Sequence, residues 1–420
     1  MPRTVLPSWP GAASRVRPGT PRVTPTAARA QWVDTARGLS IVLVVLLHTS
    51  LWLRQADMPR IEAFSILNLA FEDLRMPLFF AMAGLFATKW LRSSWRELLG
   101  SKLALLLWVF LLWQIPIIAY RIIGGDLLPG MVETALPQQL ATWAWSPLRA
   151  NAELWFLWAL MAFFLAGRLV RRVPTGVLLL GAAAVSVLWS GVLWQGFAGW
   201  EPGEIRHLLG TGFNKAPAYF IFFIAAARGS SLVRDVVLRV PRTVWAAAAA
   251  GWFVVFVWLD VLDGHRGVIG AEFLGQVCGV LGGVALAVTL QWIPTVARGL
   301  AYLGRHTLEV YLSHTTVVVA ACCALYLAGG TAGNPLLAVP WAWWTVWGVS
   351  ALAIAAGLLV GRASRAVPAL RPLLEPPAAV RRAITGDTGR AGVSSERSQP
   401  SLTQPSAVQL SATHPTGGST

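Results

Sequence analysis

Apolar runs of about 20 residues, the length that spans a bilayer as helix, return repeatedly between residues 37 and 360, separated by short polar stretches. Hydrocarbon offers a peptide backbone no hydrogen-bond partner, so only helices and closed barrels cross it. Runs of this length read as helices, because a barrel strand needs only about ten residues. The pattern therefore predicts an all-α fold, a polytopic transmembrane helical bundle of about ten spans. These are expected near 37–54, 66–89, 102–122, 152–170, 175–193, 212–229, 243–261, 268–292, 306–328 and 337–360. Composition agrees. Of 420 residues, 55% are hydrophobic and 13% charged, and the mean hydropathy is +0.59. A soluble domain carries roughly 25% charged residues.

The formal net charge of +15 would by itself suggest nucleic acid. Its distribution argues for a membrane instead. Lys89, Arg92, Arg96 and Lys102 share one loop, Arg168, Arg171 and Arg172 another, and Arg228, Arg234, Arg239 and Arg242 a third. The alternate loops hold most of the acids, among them Asp57, Glu62, Asp126, Glu133, Glu201, Asp260 and Asp263. Cytoplasmic loops carry the excess of Lys and Arg, so both termini are expected in the cytoplasm, as an even number of spans requires, and no nucleic-acid partner is expected. Residues 1–30 read as a disordered basic arm without the apolar core of a signal peptide. Residues 31–361 read as the membrane-embedded domain, and 362–420, rich in Pro, Ser, Thr and Gly, as a disordered cytoplasmic tail. Cys278, Cys322 and Cys323 lie in apolar runs without metal or disulfide spacing, and no metal site is expected. Tryptophans near span ends, such as Trp341, Trp343, Trp344 and Trp347, suggest an interfacial belt. Gly275, Gly279, Gly282 and Gly283 have the small-residue spacing of closely approaching helices.

Against this apolar background a few polar residues stand out. His48 lies within the first span, eleven positions after Arg37, or ~16 Å along a helix. With Arg37 at one membrane surface, His48 sits near mid-bilayer, where an ionisable side chain is costly and tends to be functional. Imidazole is also the side chain whose unperturbed pKa, about 6.5, suits proton acceptance near neutrality. Arg37 is either a positive-inside anchor paired with Asp34 or a contact to an anionic group such as a phosphate. The ninth span supplies Arg305 at the cytoplasmic end, Tyr311, and His314 nine residues further on, ~13 Å deep. Glu309 and Arg305, four apart, could pair with each other, the plain structural alternative for both. In the second span Arg75 sits below the outer surface near Glu72 and Asp73, as an internal ion pair or as part of a polar outer vestibule that Glu153 and Glu272 would join.

These segments resemble the acyltransferase 3 family of integral membrane O-acyltransferases, in particular its fucose O-acetylase-like branch. Arg37 and His48 are similar to its Arg-x10-His signature. Met76-Pro-Leu-Phe-Phe-Ala-Met-Ala-Gly84 resembles a Met-Pro-Leu-Phe-Phe-x-x-Ser-Gly segment, and Leu154-Trp-Phe-Leu a Leu-Trp-Phe-Leu motif. Leu303-Gly-Arg-His-Thr-Leu-Glu-Val-Tyr-Leu-Ser-His314 is similar to the closing Leu-Gly-x-x-Ser-Leu-x-x-Tyr-Leu-x-His. Ala83 replaces the usual serine and Arg75 stands where a histidine is common, departures expected to bear on the acceptor. The resemblance implies transfer of an acyl group, acetyl above all, from cytosolic acyl-CoA to a hydroxyl of a glycan, a lipid-linked saccharide or a glycosylated metabolite, with no permanently bound cofactor, at the cell membrane. His48 would act as base or acyl carrier, Arg37 and Arg305 would hold CoA phosphates, and Tyr311, His314, Arg75 and Glu153 would line the cavity. The competing reading is a transporter or exporter of a polar or lipid-linked solute that uses the buried histidines as a proton relay. No internal repeat or pair of broken spans supports it.

Overall fold

The computed structural model describes residues 25–148, 150, 154–189, 204–262, 269–329, 333–338 and 341–385. All regular structure among them is helical. The first part of the chain forms α1 (Pro25–Gln55), α2 (Glu62–Ala70), α3 (Glu72–Leu85), α4 (Thr88–Arg92), α5 (Trp95–Glu97), α6 (Ala104–Leu112), α7 (Gln114–Leu127), α8 (Leu136–Trp145) and α9 (Trp155–Leu169). The rest forms α10 (Thr175–Leu188), α11 (Glu204–Arg228), α12 (Ser230–Arg239), α13 (Arg242–Leu262), α14 (Ala271–Thr289), α15 (Pro294–Arg305), α16 (Thr307–Leu327), α17 (Ala342–Ala366) and α18 (Ala378–Thr385).

Among the described residues, five segments are long and apolar enough to cross a membrane: Gln31–Gln55, Trp95–Leu127, Ala271–Trp292, Thr307–Leu327 and Ala342–Ala366. Others are shorter than the expected spans. The run expected at 66–89 is broken at Phe71 and again after Leu85, leaving α3 with 14 residues. α9 has 15 residues, and the expected start of its span at 152 lies outside the described residues.

α1 is the hub. It packs against α15, α16, α3, α17 and α14. Ile41, Val42, Val44 and Val45 are poor intrinsic helix formers, yet they occupy its middle, and burial of Ile41, Val44 and Val45 outweighs propensity. The approach of α15 is closest. A Cβ on Gly38 would strike the Leu300 carbonyl, and one on Gly304 the Asp34 carbonyl. Glycine spacing works as expected on α14: Gly279 faces the Asp73 backbone, Gly283 faces Leu78 and Gly282 faces Trp252, which lets α14 press onto α3 and α13.

The tail begins later than the expected boundary at 361. α17 continues to Ala366, and a 3-10 segment, Pro368–Leu373, follows. Indoles of Trp108 and Trp113 donate to the carbonyls of Pro372 and Leu373 at 2.6 and 2.8 Å. Tryptophan N–H groups in apolar surroundings need acceptors, so these residues tie the segment to the bundle. At the other end, α1 starts at Pro25, inside the expected arm. Of the expected tryptophan belt, Trp341, Trp344 and, to a lesser degree, Trp347 are exposed. Trp343 and Trp347 pack on Phe64, with ring centroids 4.4 and 5.7 Å away.

Candidate active site

The site forms where α1 meets α16. At the Asp34 end, Arg37 Nη2 donates to Thr307 Oγ1 at 2.9 Å and Nη1 lies 3.9 Å from Asp34. Arg305 Nη1 reaches the other oxygen of Asp34 at 3.5 Å, so two guanidiniums flank one carboxylate. The Arg305–Glu309 pair is absent. That pairing assumed one continuous helix, whereas the chain breaks at His306 between α15 and α16. Glu309 is bound by Arg365 of α17 at 2.8 Å.

About three turns further along α1, the two histidines meet. His314 Nε2 lies 3.1 Å from His48 Nδ1, with ring centroids 5.0 Å apart. Hydrogen-bond partners assign the tautomers, since a carbonyl only accepts. His314 Nδ1 faces the Tyr311 carbonyl at 2.7 Å and therefore carries a proton. In the neutral ring Nε2 is then an acceptor, facing the Thr315 hydroxyl and His48 Nδ1, each at 3.1 Å. His48 Nδ1 also faces the Val44 carbonyl at 3.0 Å, so it is the protonated nitrogen of its ring. The remaining nitrogen, His48 Nε2, keeps its lone pair and makes no hydrogen bond among the described residues. This chain of contacts turns one face of a half-buried imidazole into a proton acceptor.

Two cavities approach the pair. The first, of about 300 Å³, has Arg37, Lys102 and Thr307 at its polar end and apolar walls that include Phe79, Phe156, Leu160 and Phe164, with Tyr311 among them. The second, of about 440 Å³, is lined by His48, Trp52, Gln55, Arg121 and Thr134 together with residues 130–132. Ala83 lines the first cavity. The missing hydroxyl therefore bears on that chamber, and not on the His48 side where an acceptor was expected.

Arg75 lines neither cavity. It is buried and donates to Asn68 at 3.1 Å; Asn68 donates to Ser50, and Ser50 to the Leu47 carbonyl, on either side of His48. The outer acids are organised by a lysine that the sequence reading did not single out: Lys215 Nζ lies 3.9 Å from both Glu72 and Glu272. Glu153 lies outside the described residues.

Lys102 and Arg121 are the site residues sequence reasoning missed. Lys102 looked like one more loop cation. Ser94 caps α5 by accepting from Glu97 N at 3.2 Å, and a π-helical turn, Leu98–Leu103, follows. Such turns are rare and frequent at functional sites. This one carries Lys102, whose Nζ stands 5.6 Å from the Phe164 ring at the cavity wall. Only the spacing of Ser94 and Glu97, a capping box, hinted at a restart of the helix there. Among the described residues no three His, Cys, Asp or Glu side chains gather as a metal set.

A family model described as an acyltransferase domain, Acyl_transf_3, matches residues 30–363. No curated protein and no solved structure matches the chain.

Proposed function

The chain belongs to the Acyl_transf_3 family of acyltransferase domains and is a membrane acyltransferase acting on groups other than amino-acyl groups, and from that premise we propose that it moves an acyl group, acetyl first, from cytosolic acyl-CoA to a hydroxyl of a sugar-containing acceptor. The observation that carries this reading is the His48–His314 contact, set between two cavities of different chemistry. The first cavity suits the donor. Arg37 and Lys102 offer charge to phosphates, Arg305 stands across Asp34 from Arg37 as a further phosphate contact, and the apolar walls suit a pantetheine arm. The second cavity, with its indole, amide, hydroxyl and guanidinium groups, suits a polyhydroxyl ring presented to His48 Nε2.

In the proposed reaction His48 Nε2 takes the proton of the acceptor hydroxyl. The oxygen attacks the thioester carbonyl, the tetrahedral adduct collapses, and the C–S bond breaks. The CoA thiolate leaves and receives the proton from the His48 imidazolium. His314 keeps His48 in the tautomer that frees Nε2 and accepts its Nδ1–H while the charge develops. If His48 instead carries the acyl group briefly, the same lone pair forms the bond. The proposal extends to topology: ten spans, both termini cytoplasmic, in the cell membrane, following the loop charges. It also extends to the fucose O-acetylase-like branch, with a glycan, lipid-linked saccharide or glycosylated metabolite as acceptor. Labelled acetyl-CoA given to membranes that contain the protein tests the assignment. Label should enter a glycan or glycolipid fraction with the wild type and not with His48→Ala; equal incorporation by both proteins overturns it.

A further inference from the structure

The two cavities share no lining residue. A series of ring contacts leads from Phe156 and Tyr311 on the wall of the first cavity, through His314, to His48 on the wall of the second. The Phe156 ring stacks on Phe79 with centroids 4.6 Å apart and planes 9° from parallel, and meets Phe80 at 4.7 Å. Its other side meets Tyr311 edge-on at 5.5 Å, and the Tyr311 ring lies 5.8 Å from that of His314. Phe156 and Tyr311 are 5% and 4% exposed. From the first cavity the ring contacts reach His48 only through Tyr311, with Phe156 packed against it, and His314.

An acyltransferase of this design has a selectivity problem that its base cannot solve. A histidine able to deprotonate a sugar hydroxyl deprotonates water as well. Attack by water would form a C–O bond, break the C–S bond, and pass the proton from His48 to the CoA thiolate, leaving free acid and free CoA. Discrimination has to come from keeping water away from the thioester, and this series of rings is the element placed to do it. We propose that the Phe156–Tyr311 contact is a partition that shields the donor thioester from water in the outer cavity, with Phe156 as the positioning residue that holds Tyr311 in place. This rests on the acyl-CoA reading of the first cavity. The partition yields only when an acceptor occupies the outer cavity against His48, which couples consumption of the donor to transfer.

The test uses membranes carrying the full chain, radiolabelled acetyl-CoA, and two readouts: label in the acceptor fraction, and free CoA measured by chromatography. In the wild type, free CoA should track incorporation. Phe156→Leu keeps most of the apolar volume and removes the ring edge; it should raise free CoA relative to incorporation by about tenfold, one decade of lost discrimination. Phe163→Leu is the packing control. Phe163 belongs to the same cluster, 4.8 Å from Phe80, and does not line the first cavity, so its release should stay coupled. Adding His48→Ala to Phe156→Leu should abolish the excess release. Coupled turnover in a folded Phe156→Leu protein, equal uncoupling by Phe163→Leu, or excess release that survives His48→Ala would each overturn the partition. A wild type that neither labels an acceptor nor releases CoA is a different result: it overturns the donor reading, and the partition falls with it.

Discussion

Replacing His314 tests the histidine pair most directly. In the wild type its Nε2 faces His48 Nδ1 at 3.1 Å, and its own Nδ1 is held by the Tyr311 carbonyl at 2.7 Å. Phenylalanine fills similar space but offers neither an acceptor nor a donor. The contact matters most when His48 becomes an imidazolium, because its Nδ1–H is then a charged donor. Hydrogen bonds to charged groups contribute about 1.5–3 kcal/mol, and each 1.36 kcal/mol is a factor of ten in rate. The Val44 carbonyl, 3.0 Å from the same nitrogen, remains and offsets part of the loss. The expected effect of His314→Phe is thus a fall in kcat of about 10- to 150-fold. His314 does not line the first cavity, the one proposed for acyl-CoA, so KM for acyl-CoA should be unchanged. An interaction made only in the transition state lowers kcat and kcat/KM together. His314→Gln places an amide oxygen near the Nε2 position and should recover about tenfold of the loss, since one neutral acceptor is worth ~1 kcal/mol or slightly more. The assay is the initial rate of label incorporation against acetyl-CoA concentration, with thermal unfolding as the check on folding. A folded His314→Phe protein within twofold of wild-type kcat, or one whose defect lies in KM alone, would refute the role assigned to the pair.

Other perturbations read other parts of the structure. Lys102→Ala should raise KM for acyl-CoA with little change in kcat, and the difference from wild type should narrow as salt screens the exposed end of the site; a fall in kcat alone would contradict the phosphate-contact role. Gly304→Ala drives a methyl group into the Asp34 carbonyl, an overpacking expected to cost about 1–3 kcal/mol and to lower the midpoint of thermal unfolding; an unchanged midpoint would show that α15 does not sit so close to α1. Trp108→Phe removes the donor to Pro372 at about 1 kcal/mol and should open the 368–373 segment to limited proteolysis, with wild-type protection of that segment as the contrary outcome. Arg365→Ala leaves the Glu309 carboxylate, 9% exposed, without its 2.8 Å partner and should destabilise the protein, whereas Arg305→Ala should leave Glu309 paired.

Local chemistry carried the sequence reading a long way. Apolar runs must become helices in hydrocarbon, so helices could be anticipated from composition and run length alone. A rise of about 1.5 Å per residue set the separation of Arg37 and His48 along α1, an unbroken helix. Small-residue spacing on α14 forecast close packing for the same reason, since it depends on one helix face. Glu309 marks where such reasoning ends. Its i,i+4 relation to Arg305 assumes an unbroken helix, and the break at His306 sends its carboxylate to Arg365, 56 positions away. Arg75 likewise turns from its neighbouring acids toward Asn68 and, through Ser50, to α1.

The sequence by itself thus determined which polar residues interrupt the apolar helices and how far apart they lie along each one, because spacing along a helix is set by local geometry. Tertiary structure decided who meets whom. The His48–His314 contact joins residues 266 positions apart, Lys102 reaches the first cavity through a π-helical turn, and Phe156 packs edge-on against Tyr311 in the wall of that cavity. Each of these depends on the rotation and crossing of helices about their axes. Rotation is fixed by the sum of many weak packing contacts across the bundle, such as Gly38 on Leu300 and Gly304 on Asp34, and no single segment contains that sum.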